Sequence, residues 1–469
     1  MRRLFAGNDL RSLALRGTAI TLGGTAGQQF MRLLSNLVLT RLLFPEAFGM
    51  MALIQTFTTV LQMFSDIGLR PSIIQNKRGE DPDFLNTAWT LQIIRGAGLW
   101  LFSCLLAWPL AILYGEDQIL WLLPVVGLNA LIAGFASTKG IVANRNLRLG
   151  RQTVIALGTQ SLGIIAMIGL ALIWPSVWSL VIGGLVSSLF GVWASHRFMP
   201  GMNNRLRWEP QAVRQLLGFG RFIFLSTVAS YFVGQGDKLF LGRTVSLADL
   251  GIYNIAFFLA IFPGMLGGMV ADRILFPLYR ELPPSGGARN MSKIRKARDL
   301  ITLGQLTLYA GMAFAGVALV DLMYDHRYVA AGPMLVILVL GQMPGSILVG
   351  NSKLLLAEGD SRSFSHLEII RGFLKMGFLI GSFWLFGMFG VLITPFLIFL
   401  ATYPLQQFYL ARFKGTDLAR DGVFMLVILA VVAAAIWFNW DVLAEFYRTS
   451  RALAPSVTGN WHPATVFSE

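Results

Sequence analysis

A single cysteine, Cys104, stands in a chain of 469 residues, which excludes a disulfide framework and a thiolate metal site within one chain. Histidine is scarce as well. His196, His326, His366 and His462 fall far apart in loops and the tail, without metal-ligand spacing, and no nucleophile, acid and base set accompanies them. The residues therefore imply no metal, no other cofactor and no enzyme. Charge is equally thin: 13% of residues are charged against 55% hydrophobic, and mean hydropathy is +0.63, values that exclude an ordinary water-soluble fold. A net charge of +14 would point to nucleic acid in a soluble chain. Here the cations cluster in short loops between apolar stretches, so orientation in a membrane and contact with anionic lipid explain them, and nucleic acid does not.

What the chain has in abundance is long apolar runs. Thirteen spans are predicted at about 17–42, 48–70, 86–113, 119–141, 153–174, 177–196, 217–242, 248–275, 299–323, 331–356, 367–385, 389–411 and 422–440, an all-α polytopic membrane protein. Many exceed the roughly 20 residues of one crossing, which implies tilt or kinks, and Pro124, Pro263, Pro344 and Pro395 stand where kinks are tolerated. Arg2, Arg3, Arg11 and Arg16 precede a first span with no small-residue cleavage site, so that span reads as retained, not as a signal peptide. With the N-terminus in the cytoplasm, the inside connections hold 23 Lys or Arg and the outside connections two, Arg243 and Arg327. An odd span count leaves the tail Asp441–Glu469 outside, too polar to cross. The largest connection, Arg280 to Arg298, carries Arg289, Lys293, Arg295 and Lys296 and reads as an anchor on anionic headgroups or a dock for a cytoplasmic partner.

A weak internal repeat accompanies the spans. At an offset of 202, Leu37, Leu39, Arg41 and Gly49 recur as Leu239, Leu241, Arg243 and Gly251; after a four-residue shift Asp66 and Pro71 fall on Asp272 and Pro277. The matches occupy corresponding places in spans one and two and spans seven and eight, so the plan is two parallel six-helix lobes with a substrate site between them. The lobes are 1–198 and 217–411, joined by a cytoplasmic linker, 199–216, and followed by 412–469, which holds the extra span 422–440 and an extracytoplasmic tail.

The run Arg41-Leu42-Leu43-Phe44-Pro45-Glu46-Ala47-Phe48-Gly49, with Phe64-Ser65-Asp66-Ile67-Gly68-Leu69 and Ile73-Ile74-Gln75 after it, resembles the opening of polysaccharide transporters of the MOP superfamily, the Wzx-type oligosaccharide and O-antigen flippases. Asp237-Lys238-Leu239-Phe240-Leu241-Gly242-Arg243, with Leu250-Gly251-Ile252-Tyr253, is similar to the opening of that family's second lobe. By span order the resemblance covers most of residues 15–440, while the specific motifs occupy about 60 residues. It implies a bacterial inner-membrane protein that moves undecaprenyl-diphosphate-linked oligosaccharide to the outer leaflet by alternating access, two lobes rocking around a central cavity. Membrane lipids and polysaccharide polymerase or assembly proteins are the implied partners. The family usually has twelve or fourteen spans and a cytoplasmic C-terminus, and this chain departs from that at its last span.

Ionisable side chains at bilayer depth cost roughly 2.5–3.5 kcal/mol on insertion scales, so they face a cavity or a partner. Gln28, Arg32 and Asn36 form one stripe on the first span, and Arg95 lies about ten residues into the third. A guanidinium holds phosphate oxygens through paired hydrogen bonds, which suits a diphosphate, although either arginine serves equally to neutralise Asp66 or cap carbonyls. Lys353, Arg371 and Lys375 read as an entry site on the inner leaflet or as snorkelling cations, and Arg221 carries the same ambiguity. Asp66 and Asp272 take equivalent helix ends, as gating ion pairs or helix-end structure. Asp237 and Lys238 are candidates for an outward gate or a coupling proton. Export of small molecules, as in MATE transporters, is the alternative within the fold, and it calls for an anionic pocket where this chain has mostly basic charge. A membrane polymerase or ligase is the alternative of another class, and it calls for a large outside loop that the sequence lacks.

Overall fold

The computed structural model describes residues 10–64, 69–146, 149–220 and 224–452, and every element among them is helical. Inside hydrocarbon the backbone finds no water, so a spanning segment satisfies its hydrogen bonds within itself. The chain divides into two units, Met1–Thr227 and Val228–Glu469.

Unit 1 runs α1 (Leu10–Leu42), α2 (Pro45–Phe64), α3 (Leu69–Gln75), α4 (Pro82–Tyr114), α5 (Ile119–Gly134), α6 (Lys139–Arg145), α7 (Gly150–Ile173), α8 (Val177–Arg197) and α9 (Pro210–Gly220). Unit 2 contains α10 (Phe224–Thr244, most of which lies in it), α11 (Leu247–Ala260), α12 (Phe262–Glu281), α13 (Ala288–Met323), α14 (Ala331–Gln342), α15 (Asn351–Ala357), α16 (Ser361–Phe386), α17 (Met388–Ala411), α18 (Leu418–Phe438) and α19 (Trp440–Ala452). Among the described residues nine helices, some of them joined pairs, are long and apolar enough to cross a membrane, and the bent pair α5–α6 makes a tenth. Helices α1, α2 and α10 occupy the places of the other three expected spans.

Local chemistry sets the helix ends. Asp81 caps α4 by accepting from the Asp83 amide, with Pro82 at the first turn, and Gly115 ends the helix at φ 71°, a left-handed conformation that glycine adopts without strain. Ser176 and Ser246 cap α8 and α11 in the same way. Two of the prolines singled out above stand at breaks: Pro263 where α11 gives way to α12, and Pro344 in the 3₁₀ turn Met343–Leu348 between α14 and α15.

In unit 1, Leu69 and Ile73 of α3 and Phe84, Leu85, Ala88 and Leu91 of α4 bury Ala212 and Leu216 of α9. The linker before α9 thus folds back onto the end of α4, where the Arg205, Arg207 and Glu209 amides donate to Asn86 Oδ1, Thr90 Oγ1 and Thr87 Oγ1 at 2.9, 3.0 and 3.2 Å. In unit 2, every residue from Ala331 to Gly341 of α14 is buried, as a helix apolar on all sides requires. Ile173 and Trp437, 84% and 81% exposed, mark surfaces that only lipid covers favourably. The tail begins as the amphipathic helix α19, which packs on α14 and α17 with Phe446 and Ser450 buried and the Tyr447 ring edge-on to Phe389 at 5.1 Å.

Candidate functional site

Each unit holds a polar pocket beside a break in a spanning helix. In unit 1 the chain turns by 63° between α5 and α6, which strips carbonyls of their helical partners. Neighbouring side chains supply replacements. Gln92 Nε2 donates to the Ala133, Gly134 and Ala136 carbonyls at 3.1, 3.0 and 3.1 Å, and Trp89 Nε1 donates to Phe135 O at 3.3 Å. The Ser137 amide donates to Ser195 Oγ at 3.0 Å, and Asn204 Oδ1 accepts from Ser137 Oγ and the Thr138 amide at 2.8 and 3.2 Å. Helix α4 reaches the break because Gly96 lies against α5: a Cβ there would stand 2.6 Å from Ala130 O.

The cavity at this break, about 470 Å³, is lined by Arg70, Arg95, Gln62, Gln92, Gln152, Ser137 and Ser195 together with apolar groups; no carboxylate is among its described lining residues. Arg95 Nη2 donates to Gln62 O at 2.9 Å. Arg70 has no ion-pair partner among the described residues, and Gln152 Oε1 is a buried acceptor with no donor. Guanidinium groups lining a cavity suit a phosphate-class anion, and the amide and hydroxyl groups around them match sugar hydroxyls.

In unit 2 a cavity of about 400 Å³ adjoins the Met343–Leu348 turn and brings Asp237, Arg371 and Lys375 together. Its charges are matched internally. Lys375 Nζ donates to Asp237 Oδ1 at 3.0 Å and to Val233 O at 2.6 Å, and Tyr253 donates to Asp237 Oδ2 at 2.5 Å. Arg371 pairs with Glu368 at 2.9 Å and donates to Gln406 Oε1 at 2.8 Å. Lys238, next to Asp237 on α10, places its Nζ over the Phe257 ring, 5.4 Å from the centroid.

The remaining sequence candidates lie elsewhere. Lys353 and Asp272 form an ion pair at 2.5 Å between α15 and α12. Arg32 is exposed on α1, and the half-buried Gln28 and Asn36 flank it on that helix; none of the three lines either cavity. Asp66 and Arg221 lie outside the described residues. Sequence reasoning missed Arg70, which reads there as a span-end cation. It also missed a network behind the basic connection, buried at Arg298, Arg420, Asp417 and Asp421: the exposed Arg295 binds Asp417 at 2.5 and 2.7 Å, Arg298 faces Asp421 at 3.6 Å, and Arg420 joins Asp299 at 2.6 Å. Arg295 and Arg298, expected to serve as lipid anchor or partner dock, instead hold α13 to the start of α18.

The fold has solved counterparts. The lipid II flippase MurJ in an inward closed conformation superposes with a TM-score of 0.69 at 12% identity, covering 92% of this chain and 97% of that one. An inward-facing multidrug resistance MATE family transporter of the MOP superfamily gives 0.57 at 14% identity, covering 83% and 96%. The chain therefore shares the fold of these two proteins, with several helices long and apolar enough to cross a membrane. Residues 38–333 match the family model described as polysaccharide biosynthesis protein, and the chain belongs to that family. The succinoglycan biosynthesis transport protein ExoT of Rhizobium meliloti (strain 1021) is 26% identical over 333 residues, 68% of this chain and 63% of the relative. The teichuronic acid biosynthesis protein TuaB of Bacillus subtilis (strain 168) is 23% identical over 316 residues, 64% and 62%. The lipopolysaccharide biosynthesis protein WzxC of Escherichia coli (strain K12) is 22% identical over 254 residues, 52% and 50%. The matched regions span under two thirds of each of these relatives.

Proposed function

We propose that the chain is a flippase that carries undecaprenyl-diphosphate-linked oligosaccharide across the bacterial inner membrane by alternating access, its N-terminus in the cytoplasm. The observation that carries this reading is the unit 1 cavity, where Arg70 and Arg95 stand among neutral amides and hydroxyls with no described carboxylate. Diphosphate is the part of the substrate that hydrocarbon rejects most strongly, and a pocket lined by two guanidinium groups supplies donors that match its oxygens. The relatives' names, which tie them to succinoglycan, teichuronic acid and lipopolysaccharide, favour a lipid-linked glycan as cargo. The exposed Arg32 with Gln28 and Asn36 on α1 is assigned a second headgroup contact along the route, and assembly proteins that extend the glycan are the partners. Export of cationic drugs is less favoured, because the carboxylate in the unit 2 cavity, Asp237, is already matched by Lys375. A polymerase or ligase is less favoured because the outer connections are only a few residues long.

The test is made in cells that depend on this transporter. With Arg70→Gln and Arg95→Gln combined, complete lipid-linked oligosaccharide is expected to accumulate on the inner leaflet while its synthesis continues. Normal delivery to the outer leaflet with loss of chain extension would refute transport and favour a polymerase.

A further inference from the structure

Helix α13 is too long for the bilayer alone. Between Asp299 and Asp321 it carries no charge, and Leu300 to Val320 rise by about 30 Å, the thickness of a hydrocarbon core. Its first turns therefore stand outside the hydrocarbon. On one side they are fastened: Ile294 and Ile301 are buried in one cluster with Tyr279, Leu354 and Leu410, while Arg295 binds Asp417 and Arg298 faces Asp421. On the other side Arg289, Lys293 and Lys296 stand at i, i+4 and i+7 and form one exposed stripe about 10 Å long. Below it the same face continues as the exposed Leu300, Leu303 and Thr307. None of the three cations forms an ion pair among the described residues, and the nearest carboxylate in sequence, Asp299, is taken by Arg420.

Height and side-chain direction decide what neutralises this stripe. The headgroup layer adds about 5–8 Å on each side of the hydrocarbon. Counted from Leu300, the backbone lies about 6 Å out at Lys296, about 10 Å at Lys293 and about 16 Å at Arg289, and a tilt of about 20° takes only about 1 Å from the last. Side chains on a helix lean toward its N-terminus, which here is away from the bilayer, so Arg289 and Lys293 lean off the headgroups. Nucleic acid fits no better, because three cations fall short of the roughly 6–10 phosphate contacts that hold it. We infer that the stripe docks an acidic segment of a soluble protein, with carboxylates spaced by helical turns, and that Lys296 alone reaches lipid phosphate. The apolar cluster and the Arg295–Asp417 bonds hold the cations in place beforehand, which lowers the cost of ordering them on contact. Charge of this kind fixes the orientation of a partner and speeds its arrival. The inference rests on the proposed function only for the side of the membrane, the cytoplasmic one, from which the cargo is loaded.

The experiment uses the full-length protein in nanodiscs of neutral phosphatidylcholine and, separately, of phosphatidylcholine mixed with phosphatidylglycerol, and follows the anisotropy of a fluorescent oligoglutamate peptide. Binding is expected in both lipids and weakens with added salt. Arg289→Gln, Lys293→Gln and Lys296→Gln together are expected to raise Kd about tenfold, with the melting temperature unchanged because all three side chains are exposed. Arg412→Gln with Lys414→Gln, exposed cations off the stripe, is expected to leave Kd as it is. In a Cys104→Ser background, a spin label on Ser292→Cys, exposed beside Lys293, is expected to collide with an aqueous nickel chelate more often than with oxygen. Peptide binding that disappears in the anionic nanodiscs, or a label at headgroup depth, assigns the stripe to the lipid surface and overturns the inference. Absence of peptide binding, or equal weakening by the two sets of substitutions, overturns it as well. These readings need no cargo, so they stand even where the cellular test of Arg70 and Arg95 fails.

Discussion

At the scale of single residues, the cations of this chain differ by what already neutralises them. Arg70 and Arg95 share a cavity with no described carboxylate, whereas Lys353 is tied to Asp272 in a pair whose members are 30% and 54% exposed. An exposed pair contributes about 0–1 kcal/mol, so Lys353→Gln is expected to change the transport rate by less than about fivefold, as measured by delivery of glycan to the cell surface. Charge-assisted hydrogen bonds to a phosphate are worth about 1.5–3 kcal/mol each, so losing either Arg70 or Arg95 is expected to slow transport by about 10- to 100-fold in the same assay. Arg95 was legible because an arginine ten residues into an apolar run is costly unless it serves something. Arg70 was not, because a cation at a span end snorkels at little cost and only the folded chain brings it to the cavity. The bond between Lys375 and Asp237 joins residues 138 positions apart, and no spacing rule reaches that far.

At the scale of elements, the α5–α6 break depends on side chains that replace lost helical bonds. Gln92→Leu removes the donor shared by three carbonyls, and leaving buried acceptors unpaired costs about 1–3 kcal/mol. A lower melting temperature of the purified protein is expected, together with weaker substrate transport because the cavity wall loses its shape. The linker latch titrates. Arg78 donates to both oxygens of Glu209 at 2.8 and 2.9 Å and to Asp81 at 2.8 Å, and these bonds hold both carboxyls below their ordinary values. A depressed folded-state pKa stabilises above the unfolded value, and that contribution disappears as pH falls through the folded one. The melting temperature of wild type is therefore expected to exceed that of Arg78→Gln at neutral pH and to converge with it in acid, below about pH 4. Helix identity was legible from run length, and the kinks at Pro263 and Pro344 from proline itself. The α5 break was not, because its cause is a set of partners on α4 and α8 and in the linker, distant in sequence.

At the scale of the whole molecule, a repeat of only a few residues, Arg41 and Gly49 against Arg243 and Gly251, suggests two lobes, 1–198 and 217–411, and the chain divides into the units Met1–Thr227 and Val228–Glu469. The asymmetry of loop cations predicts which ends face the cytoplasm. In a Cys104→Ser background, Arg289→Cys is expected to react with an impermeant thiol reagent only after the membrane is opened, and Asp117→Cys in intact spheroplasts; the reverse pattern would invert the orientation. The central claim is that the guanidinium pocket of unit 1 moves a diphosphate-linked glycan between leaflets. Its most direct measurement is transbilayer movement of a fluorescent prenyl-diphosphate oligosaccharide in vesicles containing the purified protein, read by quenching of the outer leaflet. Movement with wild type and its loss with Arg70→Gln combined with Arg95→Gln is the expected result, and equal movement by the two proteins would contradict the account.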